Sequence, residues 1–330
     1  MIDILLVLTL VAAFSITFFL LSRWIKDAKR TELMWEDMNK FKKPKIAGAG
    51  GITVIIGFVF SLFLYVGIKT FIFNTTENLV EILAVICTFL LIGLIGFKDD
   101  ILGWEVGARQ YWKVLLTIPV AIPLAVINVS NSVISIPFFG IVDFGILYPL
   151  FFVPIAIIGA SNGFNMLAGM NGLEAGLGVI ILGFMGFVAW QNDLGWVAVI
   201  AVVMVASLLA FLIYNWIPAK VFPGDTLTYS IGALIGIVAV LGSMEKIGAV
   251  LFFPFFVELV LKAKYKFQTE CFGVPQKDGK LELPGGKIYS VTHIALKILK
   301  KFNLNTERNT VLLIIFGEIL LCGVCWIFLI

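Results

Sequence analysis

Long apolar runs alternate with short polar segments along the whole of this 330-residue chain. Ten runs approach the length that a helix needs to cross a bilayer, and they occupy residues 4–21, 50–67, 79–97, 114–127, 146–160, 173–190, 196–214, 226–241, 247–261 and 310–330. A single segment in lipid satisfies its own backbone hydrogen bonds only as a helix. The pattern therefore predicts an all-α polytopic integral membrane protein with about ten transmembrane helices.

The basic residues are distributed unevenly among the loops between these runs. If the loops alternate sides, one side holds 22 of the 24 Lys and Arg residues, in loops 22–48, 98–113, 161–172, 215–225 and 262–308. Only Lys69 and Lys246 lie outside this set. Because basic loops are retained in the cytoplasm, the distribution predicts five cytosolic loops, an even number of spans and both termini outside.

Composition narrows the class of protein further. Hydrophobic residues make up 60% of the chain and charged residues 14%, which would leave a soluble globule with a large apolar surface. We expect one transmembrane catalytic domain over residues 1–330, with the cytosolic loop 262–308 between the ninth and tenth helices. In that loop, 280–283 alternates like a short strand and 290–302 resembles an amphipathic interfacial helix. The turn-rich stretch 128–145 favours a hairpin on the outer face.

Two adjacent carboxylates, Asp99 and Asp100, directly follow the third apolar run. Adjacent carboxylates repel each other and gain from a cation, either a metal ion or a phosphate-bound Mg²⁺. The alternative is a solvated helix end. Polar residues at a membrane boundary are costly unless they have a partner or a function, which favours the first interpretation.

The third of these loops, 161–172, is rich in asparagine and glycine and carries no charge. Its amides can read a uracil edge or offer a neutral oxygen to Mg²⁺, and its glycines permit close approach of a ligand to the backbone. A turn between helices is the alternative. Asp225, at the mouth of the eighth run, is either a second metal ligand or a helix N-cap. Convergence of these groups from one side predicts a Mg²⁺–pyrophosphate site.

Three motifs, Asp99-Asp100, residues 165–176 and residues 214–226, together resemble those of the polyprenyl-phosphate N-acetylhexosamine-1-phosphate transferases. The similarity is greatest to the archaeal and eukaryotic branch, which transfers N-acetylglucosamine phosphate from UDP-N-acetylglucosamine to dolichyl phosphate. The resemblance extends from residue 37 to residue 309 and implies a ten-helix enzyme whose active site faces the cytosol. It further implies a Mg²⁺-dependent reaction, in which Mn²⁺ could substitute, that releases UMP.

The resemblance also implies roles for individual residues. It places Asn165 and Asp225 on the metal, Asn171 and Gly169 at the uracil, and the catalytic group Asp99, Asp100 and Lys113 at the reacting phosphates. Further substrate contacts are expected from Lys40, Asn162 and His293. Three departures stand out: Glu270–Gly273 replaces the Arg-His-Arg run of eukaryotic members, Lys113 lies farther from Asp100, and His293 is the single histidine, so a structural role for it is an alternative.

Several alternatives stay open at this point. A transporter of nucleotide sugars or ions would also have about ten spans, although transporter sites lie near the bilayer midplane and often in paired repeats. Partners implied are UDP-N-acetylglucosamine, a polyprenyl or dolichyl phosphate and membrane lipid, with no nucleic acid; a homodimer is one option for the assembly. The membrane would be the plasma membrane in an archaeon and the endoplasmic reticulum in a eukaryote.

Overall fold

The computed structural model describes residues 2–106, 117–127, 132–136 and 140–330. Its helices are α1 Ile2–Arg30, α2 Gly51–Phe71, α3 Leu79–Val106, α4 Ile122–Ile127, α5 Val153–Met166, α6 Leu173–Gln191, α7 Gly195–Asn215, α8 Gly224–Leu241, α9 Glu245–Leu251, α10 Phe253–Lys264, α11 Val291–Lys300 and α12 Glu307–Leu329. Three short antiparallel hairpins pair β1 Met34–Glu36 with β2 Lys45–Ala47, β3 Val133–Ile136 with β4 Gly140–Asp143, and β5 Val274–Pro275 with β6 Leu281–Glu282.

Eight helical segments in the described part of the chain are long and apolar enough to cross a membrane. They are Ile4–Arg30, Gly51–Phe71, Leu79–Gly103, Tyr148–Met166, Leu173–Gln191, Gly195–Asn215, Gly224–Leu241 and Glu307–Leu329. The all-α polytopic membrane fold predicted from the apolar pattern is therefore confirmed. The number of ten spans stays a prediction, since the remaining two segments are incomplete or broken.

These two segments differ from the continuous helices expected. Part of 114–127 lies outside the described residues, and the rest forms a 3₁₀ turn, Ile118–Ala121, followed by α4. The segment 247–261 is not one helix, because α9 ends at Leu251 and α10 begins at Phe253. Pro254 lies in the first turn of α10, where its missing N–H is tolerated. A proline inside a continuous helix would remove a backbone hydrogen bond, so α9 does not continue into α10.

Helix α8 lies at the centre of the bundle and packs between α3 and α5. Every residue of α8 from Thr226 to Leu241 is buried, which is typical of a helix enclosed on all sides. Small residues allow this close packing. At Gly96 of α3, an added Cβ would lie 2.6 Å from the Asp225 carbonyl oxygen, so any larger residue would separate the two helices.

The five loops predicted to share one side meet at one end of the bundle. Loops that meet at one end are separated by an even number of crossings, in agreement with the alternation expected from the basic residues. Hydrogen bonds that join them are Asp37–Asn171, Asn39–Gly273, Asn171–Glu307, Gly172–Asn215 and Asp100–Asp225. The side of the membrane that this end faces stays a prediction.

Smaller expectations were also met or corrected. The β3–β4 hairpin lies within the stretch where a hairpin was expected, and β6 and α11 lie within the predicted strand and amphipathic helix of the last loop. The loop predicted over 161–172 is shorter than expected, because α5 remains helical to Met166. Ser161, Asn162 and Asn165 therefore lie on its last turns, where the helix holds them more rigidly than a loop would.

Candidate active site

Asp100 forms the N-terminal cap of α8 from a neighbouring helix. Its Oδ1 accepts a hydrogen bond from the Asp225 backbone N–H at 2.7 Å, and its Oδ2 accepts one from the Thr226 N–H at 3.0 Å and another from the Thr226 hydroxyl. A carboxylate at this position satisfies orphan N–H groups and complements the positive end of the helix dipole. The predicted N-cap role of Asp225 is thus filled by Asp100, and Asp225 lies inside the first turn.

Both members of the acidic pair are buried, at 9% exposure for Asp99 and 5% for Asp100. They also lie within α3, before its backbone leaves the helical conformation at Gly103, where φ is 72°. The alternative of a solvated helix end is therefore wrong. Adjacent side chains on a helix diverge by about 100°, so Asp99 is directed to a different neighbourhood from the helix end that Asp100 caps.

Asn165 and Asp225, the two predicted metal ligands, lie on elements that meet at the first turn of α8. The Thr228 hydroxyl donates to Asn165 Oδ1 at 2.6 Å. Thr228 follows Asp225 by three residues, so the two share one face of α8. Both Asn165 and Asp225 are half-buried, which keeps them accessible to a ligand. The structure thus brings the predicted amide and carboxylate to one turn.

The donor set at this turn suits Mg²⁺. Mg²⁺ prefers oxygen ligands and takes few from the protein when substrate phosphates and water complete its shell. The groups that converge here are carboxylates and an amide, all with oxygen donors. The described residues contain no group of three or more His, Cys, Asp and Glu that could hold a metal, so a dedicated protein cage is absent from that part of the chain.

The turn between α5 and α6, Gly169–Gly172, is held by side chains from several elements. Glu174 accepts from the Gly169 N–H at 2.6 Å, Asn39 donates to the Gly169 carbonyl at 2.7 Å, and Asn215 accepts from the Gly172 N–H at 3.0 Å. Gly169 has a φ of 129°, which only glycine adopts without strain, and an added Cβ would lie 2.7 Å from the Phe272 ring. We define these residues, 169–172, as the asparagine turn.

Asn171, in the middle of the asparagine turn, contacts two acidic residues from distant parts of the chain. Its backbone N–H donates to Glu307 Oε1 at 2.9 Å, and its side-chain Nδ2 donates to Asp37 Oδ2 at 2.8 Å. The other oxygen of Glu307 forms an ion pair with Lys40. Asp37, Asn171 and Glu307 are all buried. Lys40 therefore neutralises an acidic residue beside the turn, which adds to its predicted role in substrate binding.

The last loop closes over the asparagine turn. The Gly273 N–H donates to Asn39 Oδ1 at 3.1 Å, and the neighbouring Phe272 packs on Gly169. His293 fixes this segment: its Nδ1 accepts from the Tyr289 N–H at 3.1 Å and its Nε2 lies 2.9 Å from the Phe272 carbonyl, to which it donates. Burial of the imidazole, opposed by the Phe272 hydrogen bond, lowers the pKa of His293, so the ring stays neutral at pH 7.

A buried polar cluster anchors the last loop to α10. Glu258 Oε2 accepts from the Ser290 hydroxyl at 2.8 Å and from the Val291 N–H at 2.7 Å. The Cys271 thiol lies 3.4 Å from Glu258 Oε1, and burial raises the pKa of Cys271 to about 12, so it stays a protonated thiol. The loop is therefore docked on the bundle through specific polar contacts.

Of the remaining predicted site residues, the structure describes Asn162 but not Lys113. Asn162 donates to the Ile158 carbonyl of its own helix at 2.8 Å, and Lys113 lies outside the described residues. Sequence reasoning missed Asp37, Asn39, Glu174, Asn215 and Glu307 as groups that hold the site. For Glu174 and Asn215 the available signal was position, because acidic residues and amides at the ends of apolar runs are costly without a partner.

Comparison with known proteins adds to this geometry. The profile of glycosyl transferase family 4 matches residues 82–243. A protein of Saccharolobus solfataricus, with the provisional name UDP-N-acetylglucosamine–dolichyl-phosphate N-acetylglucosaminephosphotransferase, is 39% identical over 279 residues, covering 83% of this chain and 82% of the relative. The chain belongs to glycosyl transferase family 4. The family 4 match spans α3 to α8 and hence includes Asp100, Asn165 and Asp225.

Two further relatives show the breadth of family 4 around this chain. A Sulfolobus acidocaldarius protein with the same provisional name is 33% identical over 297 residues, covering 89% of this chain and 88% of the relative. A phospho-N-acetylmuramoyl-pentapeptide-transferase of Halalkalibacterium halodurans is 30% identical over 259 residues, covering 74% of this chain and 77% of the relative. This multi-pass integral membrane protein is therefore a family 4 enzyme with relatives named for two different sugar donors.

Proposed function

We propose that this enzyme transfers N-acetylglucosamine 1-phosphate from UDP-N-acetylglucosamine to a polyprenyl phosphate of the dolichyl type. An oxygen of the acceptor phosphate forms a bond to the β-phosphorus of the donor, and the bond from that phosphorus to the bridging oxygen breaks. UMP leaves with the bridging oxygen, and polyprenyl-diphosphate-N-acetylglucosamine remains in the membrane. One phosphoanhydride replaces another, so the reaction is close to balanced in free energy.

The observation that carries this proposal is the arrangement at the N-terminus of α8. Asp100 holds the first turn of the helix, while Asp225 and Asn165 converge on the same turn and are both half-buried. Mg²⁺ held by Asp225 and Asn165 would supply the positive charge that a pyrophosphate requires, because Asp100 already accepts hydrogen bonds from the first N–H groups of the helix. The asparagine turn, which offers the amide of Asn171, is joined to the neighbouring loop by the Gly172–Asn215 hydrogen bond. A phosphate site beside an amide-rich turn matches the two parts of a nucleotide sugar.

We assign different roles to the residues of this site. Asn165 and Asp225 would hold Mg²⁺, which, when bound, would offset charge on the phosphoryl oxygens. Asp100 is a positioning residue, because its oxygens are used by Asp225 and Thr226. Asp99 is then the member of the pair assigned to the acceptor phosphate. Lys113 is proposed to approach the same phosphate.

The proposed orientation follows from charge. The site lies where the five loops that are predicted to hold 22 of the 24 Lys and Arg residues meet, and we infer that this end faces the cytosol. UDP-sugars would then reach the site directly, and the lipid acceptor would enter from the bilayer. The membrane would be the plasma membrane of an archaeon or the endoplasmic reticulum of a eukaryote.

The decisive experiment measures UMP release by the purified full chain in detergent, with UDP-N-acetylglucosamine and dolichyl phosphate. We expect UMP and the lipid-linked sugar in equal amounts, loss of both with excess chelator, and restoration by Mg²⁺ or Mn²⁺. UDP-N-acetylmuramoyl-pentapeptide serves as the matched donor, because the bacterial relative is named for that sugar. Preference for the muramoyl donor would overturn the sugar assignment, and uptake of nucleotide sugar into vesicles without UMP release would favour a transporter.

A further inference from the structure

The Asn171 side chain is held in one orientation by Asp37. Asn171 Nδ2 donates to Asp37 Oδ2 at 2.8 Å, whereas Asn171 Oδ1 accepts no hydrogen bond from the residues that the structure describes. An ionised carboxylate only accepts hydrogen bonds, so the amide group that faces it has to be the NH₂. A reversed amide would place two oxygens against each other. The contact therefore prevents the Asn171 amide from flipping. Its Oδ1 and the second N–H of Nδ2 are left to contact a ligand.

Asp37 is itself fixed and does not follow a rotation of Asn171. Its Oδ1 accepts from the Asn39 backbone N–H at 3.1 Å, and the side chain is buried. Asn39 is held by the Gly169 carbonyl at 2.7 Å and by the Gly273 N–H at 3.1 Å. Asp37 is thus tied through Asn39 to both the asparagine turn and the last loop, and its carboxylate cannot turn away from Asn171 without losing the hydrogen bond from the Asn39 N–H.

Amide orientation decides which pyrimidine an asparagine can read. Uracil offers an N3–H donor beside carbonyl acceptors, whereas cytosine offers an N3 acceptor beside an amino donor. A freely rotating amide matches either edge after a flip of 180°, because it carries one acceptor and one donor group. With the flip blocked, Oδ1 and the remaining N–H of Asn171 complement uracil and oppose cytosine, which would leave buried groups unpaired.

We propose that Asp37 is the positioning residue that sets nucleobase specificity, by locking Asn171 for uracil and against cytosine. The inference rests on the proposed function, in which a UDP-sugar is the donor and Asn171 meets its base. Asp37 acts through Asn171 and does not itself contact the base. The last loop shares in the lock through the Gly273–Asn39 bond.

The test is the substitution Asp37→Asn, which keeps the size of the side chain. The Asn39 N–H requires an oxygen at its side of residue 37, so the new NH₂ would replace Oδ2 and face Asn171. Asn171 would then turn its oxygen toward residue 37 and present the reversed edge. Binding of UMP and CMP to the purified full chain is measured calorimetrically. The ratio of CMP to UMP dissociation constants should fall by about tenfold or more.

Two further variants separate the lock from a general loss of structure. Asp37→Ser removes the carboxylate that faces Asn171, and its shorter side chain leaves the amide free to flip. The ratio of CMP to UMP dissociation constants should therefore fall toward one without reversing the preference. On an Asn171→Ala background, Asp37→Asn should leave the ratio unchanged, because the amide that it controls is gone. A merely structural role for Asp37 would weaken both nucleotides alike and leave the ratio at its wild-type value.

The outcomes distinguish this inference from the proposed function. If the wild-type protein binds UMP and CMP equally, uracil reading at this turn is wrong and the lock falls with it. If the wild type prefers UMP but both Asp37 variants keep its ratio, the lock alone is overturned. A fall in the ratio that persists on the Asn171→Ala background would also overturn it, because Asp37 would then act through another residue.

Discussion

The N-terminus of α8 and the asparagine turn are built in different ways, although both belong to one site. At α8, Asp100 and Asn165 come from helices that pack directly on it, and the whole arrangement lies within the span of the family 4 match. At the asparagine turn, Asp37, Asn39 and Glu307 come from segments outside that match. Under the proposed function, phosphate chemistry would then belong to the bundle and base recognition to the loops around it.

This comparison predicts that the two regions fail in different ways when altered. Changes at the α8 terminus should lower turnover with little effect on nucleotide binding. Changes around the asparagine turn should raise KM or alter specificity with little effect on turnover at saturation.

The largest effect is expected for Asp225→Ala. Loss of a carboxylate at the first turn of α8 would leave the pyrophosphate charge uncompensated, so UMP release should fall to background while the protein remains folded. Asp193→Asn is the control, because Asp193 is exposed in the short loop between α6 and α7 and asparagine tolerates its positive φ of 59°. Turnover of Asp225→Ala at the wild-type rate would contradict the metal assignment. Full turnover of the wild type in excess chelator would contradict it as well.

The acidic pair should separate into a chemical and a positioning residue. Asp99→Asn should bind UDP-N-acetylglucosamine normally and lose most of its turnover if the carboxylate acts as base or nucleophile, because an amide keeps the size but not the proton affinity. Asp100→Asn should lose cap hydrogen bonds to α8, which would lower the free energy of unfolding by about 1–3 kcal/mol and raise the Mg²⁺ requirement.

Thermal unfolding, Mg²⁺ titration and UMP release on both variants check this division. If the two variants behave alike in all three measurements, the distinct environments of Asp99 and Asp100 have no functional consequence. Near wild-type turnover in both at saturating substrates would remove the pair from catalysis altogether.

A smaller effect is expected for Glu307→Gln at the asparagine turn. The neutral side chain can still accept from the Asn171 N–H but no longer forms an ion pair with Lys40. We expect KM for UDP-N-acetylglucosamine to rise by roughly tenfold while kcat is retained, since Lys40 and the turn would be held less firmly. Steady-state kinetics test this, with Glu282→Gln as control for loss of an exposed ion pair in the same loop. A fall in kcat at unchanged KM would contradict the division between regions.

The smallest effect is expected for His293, whose protonation should make the stability of the folded protein depend on pH. Burial lowers the pKa of His293 in the folded protein, whereas the unfolded side chain takes up a proton near pH 6.5. Its contribution to stability is therefore complete above pH 6.5 and is lost as the pH falls below it. The positive charge of Lys262 also opposes protonation of the imidazole and lowers the pKa of His293 further.

Melting temperatures of the wild type and His293→Gln between pH 7 and pH 5 check this expectation. Glutamine retains one donor and one acceptor but does not titrate, so its melting temperature should fall less on acidification. Carboxylates elsewhere affect both proteins equally and cancel in the difference. Parallel curves for the two proteins would show that His293 does not couple the last loop to pH.

Part of the site could be predicted because its signal is local. Asp99, Asp100, Asn165 and Asp225 stand out as polar residues at the ends of apolar runs, and the structure brings Asp100, Asn165 and Asp225 to one turn. Asp37 and Glu307 escaped prediction because nothing in their neighbours indicates a partner. Their function depends on Asn171, which lies 134 residues from Asp37 and 136 from Glu307. The break between α9 and α10 was missed for a different reason: Pro254 is a local signal, but the apolar run continues across it.

The sequence by itself determined the membrane-spanning class, the grouping of five loops on one side and the chemistry of the motifs. These properties follow from hydrophobicity, charge and residue type, which act over a few helical turns. Tertiary structure alone decided that Asp100 caps α8, 125 residues away, and that Asp37 sets the orientation of the Asn171 amide. A hydrogen bond requires its two atoms within about 3 Å, and only the packed bundle brings such distant segments together.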